Sequence, residues 1–146
     1  MNGILAALDF SDVSNFVVQS AADLARGLRV PLYLLHVTPP DPDFVGYEPG
    51  PQSVRDTVAG KIRKEHHQLQ ELESKLRSEG LDVRSLLVQG PTAEKILHEA
   101  AGLQAGTIVI GSHGHGALRK LLVGSVAEGV LRGSRCPVLV VPSRAL

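Results

Sequence analysis

The chain has 146 residues, the size of one domain, enough to bury roughly two-thirds of its unfolded surface without disulfide or metal staples. Its 15 acidic and 15 basic residues balance, and no basic run breaks that balance, which argues against nucleic acid or a membrane surface as partner. One cysteine, Cys136, leaves no internal disulfide and suits a reducing compartment. No apolar run reaches the roughly 18 residues a membrane span requires. The apolar start lacks the basic stretch of a secretory signal, so a soluble cytoplasmic protein is expected.

Ile4 to Leu8 is a short, continuous apolar run, the pattern of a buried parallel strand covered on both faces. Asp9-Phe10-Ser11-Asp12 breaks it with turn residues, and Ser11 or Asp12 is placed to cap a helix. Val13, Phe16, Val17, Ala21, Leu24, Ala25 and Leu28 recur at helical spacing and predict one buried stripe. Pro31 to Val37 predicts the second strand. Thr38 to Gln52 carries five prolines and two glycines and predicts a long, mobile loop near a pocket mouth. Ser53 to Glu79 predicts a long helix, with a narrow stripe through Val54, Val58, Ile62, Leu69, Leu72 and Leu76, ended by Gly80. His66 and His67 fall on its polar side.

Leu81 to Val88 predicts the third strand. After Gly90-Pro91, Thr92 is placed to cap a helix whose Ile96, Leu97, Ala100 and Ala101 face inward. Thr107 to Ile110 predicts the fourth strand, Val126 to Leu131 lies in a last helix, and Pro137 to Val141 predicts a fifth strand before a short tail. Strands alternating with helices predict an α/β fold, a single parallel sheet with helices on both faces and right-handed crossovers.

The fourth strand runs into Gly111-Ser112-His113-Gly114-His115-Gly116, and a helix begins near Gly124-Ser125. Strand, glycine loop and helix start together make an anion site. Glycine lets the backbone approach a ligand, and the first N–H groups of a helix can hold phosphate. The loop is no Walker A motif, because no lysine stands between Gly124 and the Ser125 hydroxyl. It is no dinucleotide fingerprint either, because its glycines have the wrong spacing and come late in the chain. What it has is Gly111, two residues, Gly114, nine residues, then Gly124-Ser125.

That spacing resembles the universal stress protein family, in its ATP-binding branch. The first strand with its acidic turn, Ile4 to Ser11, His36-Val37 at the end of strand 2, Gly124 to Glu128 and Pro137 to Pro142 resemble the corresponding parts. The resemblance covers nearly the whole chain. It implies strand order 3-2-1-4-5, a Rossmann-like sheet of the adenine nucleotide alpha hydrolase type, with a switch point between strands 1 and 4.

The resemblance also implies a site. Gly111, Gly114, Gly124 and Ser125 would surround a triphosphate. Asp9 would contact ribose or base, a role that a helix-capping aspartate rivals. Ala7, Leu8 and Val37 would line an adenine slot with Val126 across the ligand, although all four also suit a core. Ser11, Ile110 and His113 complete the nucleotide-binding set. His113 and His115 are a weak metal pair, since no third ligand lies near them in sequence. Arg119 and Lys120 could add positive charge or simply be solvated.

The expected function is a regulatory, stress-response ATP-binding protein with Mg²⁺ held mainly by phosphate oxygens and water. Efficient turnover is not expected, because no lysine or arginine clamp, positioned base and metal ligands assemble into a phosphoryl-transfer set. A homodimer through Pro137 to Val141 is also implied. The alternative is a dimeric interaction module of the same fold that binds no nucleotide.

Overall fold

The computed structural model describes residues 2–39, 52–113 and 123–142, and for residues 52–56 the backbone alone. Nine elements alternate along it: β1 (Ile4–Leu8), α1 (Ser14–Leu28), β2 (Leu32–Thr38), α2 (Gln52–Ser78), β3 (Val83–Gln89), α3 (Thr92–Gly102), β4 (Thr107–Gly111), α4 (Ser125–Gly133) and β5 (Val138–Val141). The five strands form one sheet in the order β3-β2-β1-β4-β5, and every pairing is parallel. Both the class and the strand order are those expected.

Each strand feeds two cores because successive side chains point to opposite faces. Ile4, Ala6, Leu8, Leu32 and Leu34 pack with α1 and α2. Leu5, Leu35, Val37, Ile108 and Ile110 pack with α3 and α4. With both faces covered, the strands read as unbroken apolar runs in sequence.

α1 lies on the sheet through small residues. Ser14, Val17, Val18, Ala21, Ala22 and Ala25 are buried, whereas Phe16 and Leu28 are 44% and 40% exposed. The expected stripe is therefore rotated. Alanine lets the helix approach the sheet closely, and the larger Phe16 and Leu28 sit at its outer edges. Its start also departs from expectation. The N-cap residue is Val13, and no side chain caps the helix. Thr92 likewise is the first residue of α3 rather than its cap, which falls on Pro91. In α3 only Ile96 and Ala100 are buried, Leu97 is half-buried and Ala101 is exposed.

α2 keeps its expected narrow stripe, with Leu69 and Leu76 buried and Val58, Ile62 and Leu72 half-buried; the Val54 side chain lies outside the description. Gly80 ends it with φ of +92°. Leu81 N–H then returns to the Leu76 carbonyl at 3.2 Å, so β3 begins two residues later than the sequence predicts. Residues 40–51, most of the expected long loop, lie outside the described part. Among the described residues, no helix is long and apolar enough to cross a membrane.

Candidate functional site

β1 ends at Leu8, and the next residue, Asp9, stands where the strand order reverses between β1 and β4. Open parallel sheets bind ligands at such a point, beyond the strand C-termini. Asp9 is half-buried. Its Oδ1 accepts from the Ser11 N–H at 2.9 Å, the Ser11 hydroxyl at 2.5 Å and the Ser14 hydroxyl at 3.1 Å. The Ser11 hydroxyl, expected as a helix cap, is instead committed to the aspartate, and the cap position falls on Val13, which has no polar side chain. Phe10 takes φ of +59° to make the turn, a left-handed conformation uncommon for a bulky side chain and characteristic of functional loops.

A cavity of about 390 Å³ opens here between the strand ends and α2. The strand ends contribute Asp9, Phe10, His36, Val37 and Pro39; α2 contributes Lys61, Lys64, Glu65 and Gln68. The volume falls within the range of small-molecule sites. Its chemistry is mixed: two carboxylates, two ammonium groups, one amide, and the apolar surfaces of Phe10 and Val37.

His36 is the most constrained group around it. It is 5% exposed, and both ring nitrogens are engaged. Nδ1 lies 2.7 Å from the Leu8 carbonyl oxygen, and Nε2 lies 2.6 Å from Glu65 Oε2. The Phe10 ring centroid is 4.8 Å from that of His36, with the planes inclined at 57°. Lys61 Nζ is 3.9 Å from the other oxygen of Glu65. Sequence reasoning placed His36 only as a strand end and gave the α2 residues no role. The available signal was a polar residue inside the apolar run Leu34-Leu35-His36-Val37. Its partner, 29 residues away, carried none.

The opposite side of the crevice is built of main chain. Ser112 N–H donates to the Val141 carbonyl at 2.8 Å, and Gly124 N–H donates to the Ser112 carbonyl at 2.6 Å. The first bond ties the end of β4 to the end of β5, and the second ties it to the start of α4. Ser112 is buried, with its hydroxyl 3.1 Å from His113 Nδ1. There is little room for side chains. A Cβ on Gly111 would stand 2.7 Å from Val13 Cγ1, and one on Gly124 would stand 3.2 Å from the Ser112 oxygen. Gly124 is the N-cap of α4. Helix geometry leaves the N–H groups of Ser125, Val126 and Ala127 without intrahelical acceptors, at the positive end of the helix dipole.

The two sides meet at neighbouring strand ends. Ala6 pairs with Val109, and two residues further on that register sets Leu8 beside Gly111. Of the expected site residues, Asp9 and Val37 line the cavity, and the Ser11 hydroxyl is committed to Asp9. Ala7 and Val126 are half-buried against the α3/α4 core. Leu8 and Ile110 are buried. Leu8 is 4% exposed in the α1/α2 core, on the same sheet face as its register partner His36. Ile110 is 5% exposed in the α3/α4 core. Neither side chain lines the cavity. Gly114, His115, Gly116, Arg119 and Lys120 lie outside the described residues. Among the described residues, no group of three or more His, Cys, Asp or Glu side chains could hold a metal ion.

Comparison with known proteins agrees with this architecture. The model of the universal stress protein family matches residues 1–142. The chain is 30% identical over 145 residues to the universal stress protein YxiE of Bacillus subtilis, covering 96% of this chain and 98% of that one. It is 33% identical over 138 residues to a universal stress protein of Thermus aquaticus, covering 94% and 96%. Among solved structures, protein MJ0577 of Methanocaldococcus jannaschii superposes with a TM-score of 0.84 at 26% identity, covering 99% of this chain and 98% of that one. The universal stress protein of Archaeoglobus fulgidus in complex with dAMP superposes with a TM-score of 0.67 at 26% identity, covering 96% and 97%.

Proposed function

Because the chain belongs to the universal stress protein family, we propose that it binds an adenine nucleotide, ATP with Mg²⁺, and acts as a regulatory protein rather than a catalyst of rapid turnover. The observation that carries this reading is the pairing of two unlike surfaces at the sheet's switch point. A carboxylate, Asp9, lies in a cavity of about 390 Å³. Next to that strand end is a glycine-bounded helix start whose first N–H groups have no intrahelical acceptor. A carboxylate accepts from paired sugar hydroxyls, and Val37 offers apolar surface to a base. The dAMP complex of the Archaeoglobus fulgidus relative supports the ligand class.

Mg²⁺ would arrive with the nucleotide, held by phosphate oxygens and water, since the described residues supply no metal cluster of their own. The output is a change in conformation or in partner binding. The experiment is calorimetric titration of the purified protein with Mg·ATP, with phosphate release followed in parallel. Saturable one-site binding with negligible release is expected; no heat of binding at millimolar ATP overturns the reading.

A homodimer belongs to the same proposal. β5 pairs with β4 on one side and forms a sheet edge, and Leu139 on it is 41% exposed. Such an edge offers unpaired N–H and C=O groups to a second copy. Val140→Pro removes one donor and should give monomers in analytical sedimentation, while an intact dimer would exclude this edge. The same edge favours the second reading, a dimeric module without nucleotide, which failure of the ATP titration would leave standing.

A further inference from the structure

We infer that Glu73 and Arg77 of α2 close the β3 edge of the sheet against pairing with a second copy of this chain. The inference goes beyond the nucleotide reading and does not depend on it.

β3 stands at one end of the strand order, with β2 as its neighbour, so alternate main-chain groups along it face away from the sheet. The register tells which ones. Thr38 is paired with Gln89, and the Gly90 N–H donates to the Thr38 carbonyl at 3.0 Å, so residue 90 turns its main chain toward β2. By alternation Arg84, Leu86 and Val88 face β2 as well, and Val83, Ser85 and Leu87 face outward.

Outward groups are what a further strand would bond. In a parallel ladder, one residue of the incoming strand donates its N–H to the carbonyl of an edge residue and accepts from the N–H two positions later. The Val83 carbonyl and the Ser85 N–H are such a pair, and both are taken. Arg77 Nε–H donates to the Val83 carbonyl at 2.9 Å, and the Ser85 N–H donates to Glu73 Oε2 at 3.1 Å. The Ser85 hydroxyl donates to the same oxygen. Arg77 Nη2 lies 2.7 Å from Glu73 Oε1, which joins donor and acceptor into one unit. Their spacing of one helical turn puts both on one face of α2. The two side chains therefore stand in for one residue of a sixth strand, with a guanidinium N–H in place of the amide and a carboxylate oxygen in place of the carbonyl. The Glu73 side chain is 18% exposed, so it is walled in rather than a loose surface group.

The excluded occupant is a second copy, because a strand edge recognises main chain and two β3 edges related by a twofold axis are complementary to each other. Such a pair would run antiparallel and would use the N–H and carbonyl of one outward residue. At Ser85 the Glu73 contact blocks that geometry too. The homodimer reading above concerns the opposite edge, and its failure would leave every outcome below unchanged.

The test opens the edge and then closes it by other means. Glu73→Ala combined with Arg77→Ala frees both main-chain groups. Analytical sedimentation of the full chain should give one finite species for wild type, and for the double variant species of at least about twice that mass, increasing with concentration. Adding Ser85→Pro removes the outward N–H, a change that an edge strand tolerates. It should return the protein to the wild-type mass. A double variant of wild-type mass overturns the proposal, and so does growth that persists with the proline, since association through unfolding would do that.

Amide hydrogen exchange on Glu73→Ala in dilute solution is the second measurement. Exchange at Ser85 should quicken on the order of tenfold, with Leu86, whose N–H faces β2, unchanged. Equal exchange at Ser85 in wild type and variant refutes the blocked edge. Equal quickening at Ser85 and Leu86 refutes it as well, because the substitution would then loosen the whole strand.

Discussion

The two sides of the crevice are made of different materials. Beyond β1 and β2, side chains hold other side chains: Ser11 and Ser14 hold Asp9, and Glu65 holds His36. Beyond β4, the main chain closes on itself through Ser112, Val141 and Gly124, and side chains are kept out by Val13 and by the backbone. The first kind of surface carries charge. The second carries N–H dipoles fixed in direction. A ligand with a sugar at one end and phosphate at the other needs one of each.

The sharpest break in this contrast is Gly111→Val. A Cβ alone would stand 2.7 Å from Val13 Cγ1, so valine forces α1 away from β4. We expect a loss of about 3 kcal/mol, the upper end of overpacking costs, measured by denaturant unfolding. An unchanged midpoint would show that the main-chain side has slack and that its glycine is dispensable.

Substitution of Asp9 tests the other side. Asp9→Ala should weaken ATP binding by about 2 kcal/mol, roughly thirtyfold, and free the Ser11 and Ser14 hydroxyls. Asp9→Asn keeps an acceptor for those serines but loses the charge. It should restore stability and leave affinity low. Equal affinity for Asp9→Asn and wild type would mean that the carboxylate serves the turn alone.

The smallest effect is expected away from both surfaces. The Arg132–Glu128 pair is short, 2.6 Å, yet its side chains are 79% and 54% exposed. Arg132→Ala should change unfolding free energy by no more than about 0.5 kcal/mol, because water screens such pairs. A larger loss would assign the start of α4 an electrostatic role that main-chain geometry does not require.

Much of this was legible in the residues. The period of each apolar run gave the alternation of strands and helices, and the spacing of the glycines marked the β4–α4 side. Asp9 was legible as a residue in a turn after a strand. Which of its two roles it plays was not, because the donors to its carboxylate are decided by how Ser11 and Ser14 turn. The direction of Leu8 was also out of reach, since a run apolar at every position hides its own alternation.

By itself, the sequence determined the parallel α/β architecture and the place of the glycine-bounded β4–α4 junction, because periodicity and glycine spacing are local properties of the chain. Only the tertiary structure decided that His36 meets Glu65 across 29 positions, that α1 turns its alanines rather than Phe16 to the sheet, and that a cavity opens against α2. Those outcomes depend on how separate elements pack, and packing distances between residues far apart in sequence are written in no single segment of it.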